Sequence, residues 1–131
     1  MLALPVTLGF LPMACAPERQ GSGRALFETY CVSCHGPQGK GDGPAAGGLG
    51  KRPADLTGIA ARNGGTFPMV RVMSAIDGYS RRNDRTSMMP ELGIALQEGP
   101  LAVFDAGDGH PTPTPAKLIA LAEYLRSIQR P

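Results

Sequence analysis

The chain has 131 residues, 18 of them Gly and 13 Pro, with four Phe, three Tyr and no Trp. So few bulky side chains exclude a large self-sufficient core, and something besides the chain's own apolar area must help offset the entropy of ordering it. A hydrophobic content of 42% argues against disorder, and 13 Lys and Arg against 11 Asp and Glu give +2, without the basic excess of a nucleic-acid binder.

Every charged residue lies after Ala14. Residues 1–14 are an uncharged, mostly apolar run, too short to span a bilayer but of the length of the apolar part of an export signal. Pro5, Gly9 and Pro12 interrupt both helix and strand periods, which argues against a buried element. The basic start of an ordinary signal is missing. The expected organisation is a leader over 1–14, a tether over 15–22 and one domain over 23–131, exported to the periplasm. Cys15 follows Leu11-Pro12-Met13-Ala14, which resembles the end of a lipoprotein signal apart from Pro12 and Met13, so a lipidated Cys15 is the candidate membrane tether, with ordinary signal cleavage nearby as the alternative.

A first helix is expected from about Ser22 to Cys31, with Ser22 as its N-cap. Leu26, Phe27 and Tyr30 fall on one side of it, with Gly23 on the same flank. It leads into Cys31-Val32-Ser33-Cys34-His35, a C-x-x-C-H pattern. Two thiols on one turn can each add to one of the two vinyl groups of a porphyrin, and the following His is carried beneath the ring as a proximal iron ligand. A redox dithiol needs a strand before it, and none is visible. Zinc needs a fourth ligand, which only His110 or a carboxylate could supply. A Cys31–Cys34 disulfide would close a tight, strained loop. Covalent attachment of one haem c through Cys31 and Cys34 accounts for all three residues. A flat apolar macrocycle also fills the interior that the composition leaves thin.

Gly36 to Gly50 holds seven Gly and two Pro in fifteen residues, an irregular loop without the strand or the G-K-[ST] ending of a phosphate loop. A turn at Pro53–Thr57 leads into a short helical stretch to Arg62, stopped by Asn63-Gly64-Gly65. Pro68 suits the first position of a helix in which Met69, Val72, Met73 and Ile76 recur at helical spacing until Asp77-Gly78; both of its Met read as core packing. Tyr79 to Thr114 reads as mostly loop, including Ser87-Met88-Met89-Pro90 and the Pro-rich run from His110 to Pro115. The last helix has Thr114 as N-cap and Pro115 at its first position, with Leu118, Leu121, Ala122, Leu125 and Ile128 along one face to Gln129. With no alternating pattern, the chain reads as all-α.

From Gly23 to Gln129 these residues resemble class I c-type cytochromes of the small bacterial single-haem kind. In that family a Gly and an aromatic, eight and four residues before the first haem Cys, pack against an aromatic of the last helix; here they are Gly23 and Phe27, with Tyr124 as partner. Gly43-Pro44 matches the Gly-Pro whose Pro carbonyl accepts the proximal His N–H. Met89-Pro90 matches the Met-Pro pair before the final helix, which selects Met89 over Met88. The resemblance implies three to five helices around one haem, with His35 and Met89 as axial ligands. Thioether sulfur favours ferrous iron and raises the potential relative to two His. Two strong axial ligands leave no place for a substrate, so the expected function is outer-sphere electron transfer between redox proteins such as a reductase, an oxidase or a dehydrogenase, not catalysis. The alternatives are a haem-bearing subunit of a larger oxidoreductase and a haem-based ligand sensor, which needs an open sixth position. Arg52 and Arg62 are candidates for the haem propionates, with solvated surface charge as an equal alternative, and His110 reads as a loop histidine. Arg81, Arg82 and Arg85, near Met89, are the expected basic patch for docking an acidic partner.

Overall fold

In the computed structural model, which describes residues 22–81 and 86–131, Ser22 opens helix α1 (Gly23–Tyr30) by accepting the Ala25 N–H at 3.2 Å. The expected leader, Cys15, Arg82 and Arg85 lie outside the described residues. Leu26 and Phe27 are the buried flank of α1. Cys31 ends the helix, donating its N–H to Phe27 O at 2.9 Å, and one further turn, α2 (Val32–His35), runs to Gly36 at φ 77°.

The Gly-rich segment folds as irregular turns, as its composition requires. The helical stretch expected up to Arg62 is two separate 3-10 turns, Leu56–Gly58 and Ala61–Asn63, ended by Gly64 in the left-handed region at φ 67°. Helix α3 (Met69–Asp77) buries Val72, Met73 and Ile76, with Pro68 as its cap rather than its first residue. Met73 is in the core and Met69 packs against it. Helix α4 (Gly93–Gln97) lies within the region read as loop. It is too short to show a period, but Leu92 and Leu96, one turn apart, are both buried.

The all-α expectation is corrected by an antiparallel ribbon of β1 (Leu101–Phe104) and β2 (Thr112–Pro115), with Leu101 opposite Pro115 and Phe104 opposite Thr112. Pro113 and Pro115 can donate nothing to a ladder, yet both stand in β2. In a two-stranded ribbon every strand is an edge, and residues two apart share a side, so both missing N–H groups can lie where no partner is needed. Pro115 then caps helix α5 (Ala116–Ser127), one residue later than expected, and the Ala116 N–H bonds Pro100 O at 3.0 Å.

Helix α5 is the hub, since α1, α3 and α4 all pack on it. Leu121 and Ala122 are fully buried at their meeting, with Leu118 and Leu125 beside them. Phe27 meets Tyr124 with ring centroids 5.2 Å apart. Gly23 lets α1 approach closely, because a Cβ there would run into the carbonyl of Ala120. Among the described residues no helix is long and apolar enough to cross a membrane.

Candidate haem-binding site

Cys31, Cys34 and His35 stand at i, i+3 and i+4, so a single helical turn puts them on one face. That turn is held by its own main chain, with His35 N–H on Cys31 O at 2.8 Å, and by the Gly-rich segment folded against it. Gly43 N–H donates to Cys34 O at 3.1 Å and Ala45 N–H to Ser33 O at 2.9 Å. A side chain at Gly43 would not fit, since a Cβ there would lie 2.5 Å from Val32 O and 2.7 Å from the Cys34 carbonyl carbon.

His35 is buried, and its Nδ1 is 2.9 Å from the carbonyl oxygen of Ala54. A carbonyl can only accept, so Nδ1 carries the proton and Nε2 keeps the lone pair that a metal needs. This corrects the expected acceptor. Pro44 is exposed, just beyond Gly43 where the chain is pressed against the attachment turn. Leu56 N–H on Gly39 O at 2.7 Å and Gly41 N–H on His35 O at 2.8 Å instead bring residues 53–56 alongside the imidazole.

The segment carrying Ala54 is pinned from the far end of the chain. Asp55 accepts from the Thr57 N–H at 2.9 Å and from the Thr57 hydroxyl at 2.6 Å, and Arg130 donates to Asp55 at 2.7 Å. Arg130 also donates to the Thr57 hydroxyl, and Gln129 to Leu56 O, each at 2.7 Å. The Thr57 hydroxyl bond is the main reason the Asp55 carboxyl titrates below its ordinary value, with the Thr57 N–H, Arg130 and Arg62 assisting against partial burial.

Cys31, Ser33, Cys34 and His35, with residues 87–90, line one cleft of about 430 Å³, with Tyr30, Leu49 and Leu92 among its walls. Met89 is half-buried and packed against the core, whereas Met88 is 61% exposed. Lys51 and Arg52 are on the cleft; Arg62 is not, and donates instead to Asp55 O at 2.6 Å. His110 is exposed in the turn of the ribbon. Arg81 lines the cleft but is not a free docking charge, since its guanidinium donates to Ala75 O, Ser87 Oγ, Met89 O and Pro90 O at 2.6–3.0 Å. Neither this use of Arg81 nor the Ala54 acceptor has a sequence signal.

Burial, and secondarily Cys34, pushes the Cys31 thiol up to about 11. It is therefore a neutral thiol, unlike the lowered-pKa thiolate of a reactive dithiol. Among the described residues no three His, Cys, Asp or Glu gather to hold a metal ion. The cleft suits a haem: its volume is within the range of cofactor sites, roughly 300–1,000 Å³, and it offers an imidazole lone pair, thioether sulfur and two correctly spaced thiols.

Comparison with curated proteins and with solved structures gave no match. The sequence model of the family described as Cytochrome c matches residues 21–129. Among the described residues that span takes in every helix, both strands and the whole lining of the cleft. The helical architecture fits that fold, the attachment turn fits its covalent haem c, and the chain belongs to the cytochrome c family, whose domains serve haem-based electron transfer.

Proposed function

We propose that the protein is a one-electron carrier, with haem c joined to Cys31 and Cys34 and ligated by His35 and Met89. The observation that carries this reading is the single cleft lined by both a His35 with its Nε2 lone pair free of the proton and a half-buried Met89. Haem c bound there supplies the Fe(III)/Fe(II) couple. The Ala54 carbonyl fixes the His35 tautomer and makes Nε2 a stronger donor. Met89 supplies a soft donor that favours the reduced state, and Leu49 and Leu92 give the cleft apolar walls. If His35 and Met89 both held the iron, the chain would leave a substrate no place on it.

The partners in this reading are redox proteins, with Lys51 and Arg52 at the cleft favouring an acidic docking face. A periplasmic location and a tether through lipidated Cys15 rest on the apolar run at 1–14. Unequal detergent partitioning of wild type and Cys15→Ser is expected, and equal solubility rejects the tether.

The ligand assignment is tested on the holoprotein. Met89→Ala should abolish the Met-to-iron charge-transfer band and let carbon monoxide bind the reduced iron, while Met88→Ala leaves both as in wild type. The reverse pattern overturns the assignment.

A further inference from the structure

We infer that Arg81 is a positioning residue that holds Met89 at the cleft, an inference resting on the reading of Met89 as the sixth ligand. Arg81 closes a 3-10 turn, Tyr79–Arg81, directly after α3. Its Nε donates to Ala75 O, in α3, at 2.9 Å. One terminal nitrogen donates to Ser87 Oγ at 2.9 Å and to Met89 O at 2.6 Å, and the other to Pro90 O at 3.0 Å. A single planar fork thus joins a core helix to the carbonyls of Met89 and its successor.

The segment it grips has little else of the kind. Among the described residues, Ser87 to Glu91 exchange no backbone-to-backbone hydrogen bond, and the ladder resumes only at Leu92 N–H on Ile76 O, 3.1 Å. α3 is a firm anchor, because Val72, Met73 and Ile76 are all buried around Ala75. Four of the five N–H groups of the guanidinium are engaged, and the acceptors are main-chain carbonyls or a hydroxyl, so the residue tethers rather than docks.

Only arginine can do this. Lysine has three donors on one nitrogen and cannot span from Ala75 to Pro90 as a flat fork does. Without the fork, conformations in which Met89 has left the cleft should become more populated, and an external ligand binds iron in proportion to that population.

The test uses holoprotein variants Arg81→Met and Arg81→Lys, with imidazole as the probe ligand for ferric iron. Arg81→Met should raise the apparent imidazole affinity about ten- to a hundredfold and weaken the Met-to-iron band, with a smaller effect for Arg81→Lys. Amide hydrogen exchange should accelerate at Leu92, whose N–H bonds Ile76 O where the segment rejoins α3, while α1 and α5 keep wild-type protection. Unchanged imidazole affinity, or exchange accelerated equally in α1 and α5, overturns the inference. If Arg81→Met does not accumulate, the same two measurements on Arg81→Lys decide it. Met89→Ala run in parallel separates the two failures. If that variant keeps the band, the ligand reading has failed; if it loses the band while the Arg81 variants match wild type, the positioning role alone has failed.

Discussion

Replacing Gly23 by Ala sets two physical effects against each other. Helix propensity alone favours Ala by up to about 1 kcal/mol. Packing opposes it, because the new Cβ would press on the Ala120 carbonyl and lie 2.8 Å from Tyr124 Cβ. A backbone carbonyl inside α5 cannot swing aside as a flexible side chain would, and Leu121 and Ala122 next to it are at 0% exposure. Relief requires α1 to move off α5, and α1 carries Cys31 through the Cys31 N–H bond to Phe27 O. Overpacking of this kind costs about 1–3 kcal/mol, and against a carbonyl that cannot move the upper part of that range, about 2–3, applies, so packing should win by about 1–2 kcal/mol. At about 4–6 °C per kcal/mol in a domain of this size, the melting temperature of the holoprotein should fall by about 5–10 °C. Thermal unfolding followed by circular dichroism and by haem absorbance measures it. Gly47→Ala is the control, since a Cβ there meets nothing within 4 Å. A Gly23→Ala variant more stable than wild type would refute the claim that the α1–α5 approach is limiting.

Phe27→Ala should destabilise by about 3–5 kcal/mol, since the ring is 1% exposed. A double-mutant cycle of Phe27→Leu with Tyr124→Leu should give a coupling of about 0.5–1.5 kcal/mol, and strict additivity in urea melts would show that the rings do not interact. Asp55 titrates below its ordinary value of 3.8, so its bonds stabilise the fold above that pH and are lost as pH falls through the folded value. The stability difference between wild type and Asp55→Asn should be up to about 1 kcal/mol at pH 7, given the exposure of the Arg130 pair, and close to zero near pH 2. A difference independent of pH contradicts this account.

What could be read from the sequence was what local rules determine. Ser22 caps α1 by its own hydroxyl, Leu118 to Leu125 mark α5 by period, and Cys31, Cys34 and His35 share a turn by spacing alone. The ribbon escaped because Pro113 and Pro115 carry a strong signal against strands that two-stranded edges suspend. Helix α4 escaped because five residues cannot show a period. Ala54 and Pro44 are equivalent as carbonyls, and only the tertiary path of the Gly-rich segment selects between them. Arg81 was visible as a charge near Met89, but whether a guanidinium faces solvent or the main chain is decided by the return of residues 87–90 toward α3.

The two sides of the cleft are consequently built on different principles. On the His35 side, the imidazole, Cys34 and Gly43 are tied by several separate main-chain bonds, and Ala54 is pinned by Thr57, Gln129 and Arg130 through distinct donors. Losing any one leaves the others, and the turn rests on α1, which is buried against α5. On the Met89 side, four bonds converge on one side chain. A single substitution removes them together, so their loss is cooperative where the other side degrades by steps. Core substitutions such as those at Gly23 or Phe27 should therefore act on the His35 side through the position of α1. The Met89 side should answer chiefly to position 81, and that asymmetry makes local opening there cheaper than unfolding of the attachment turn.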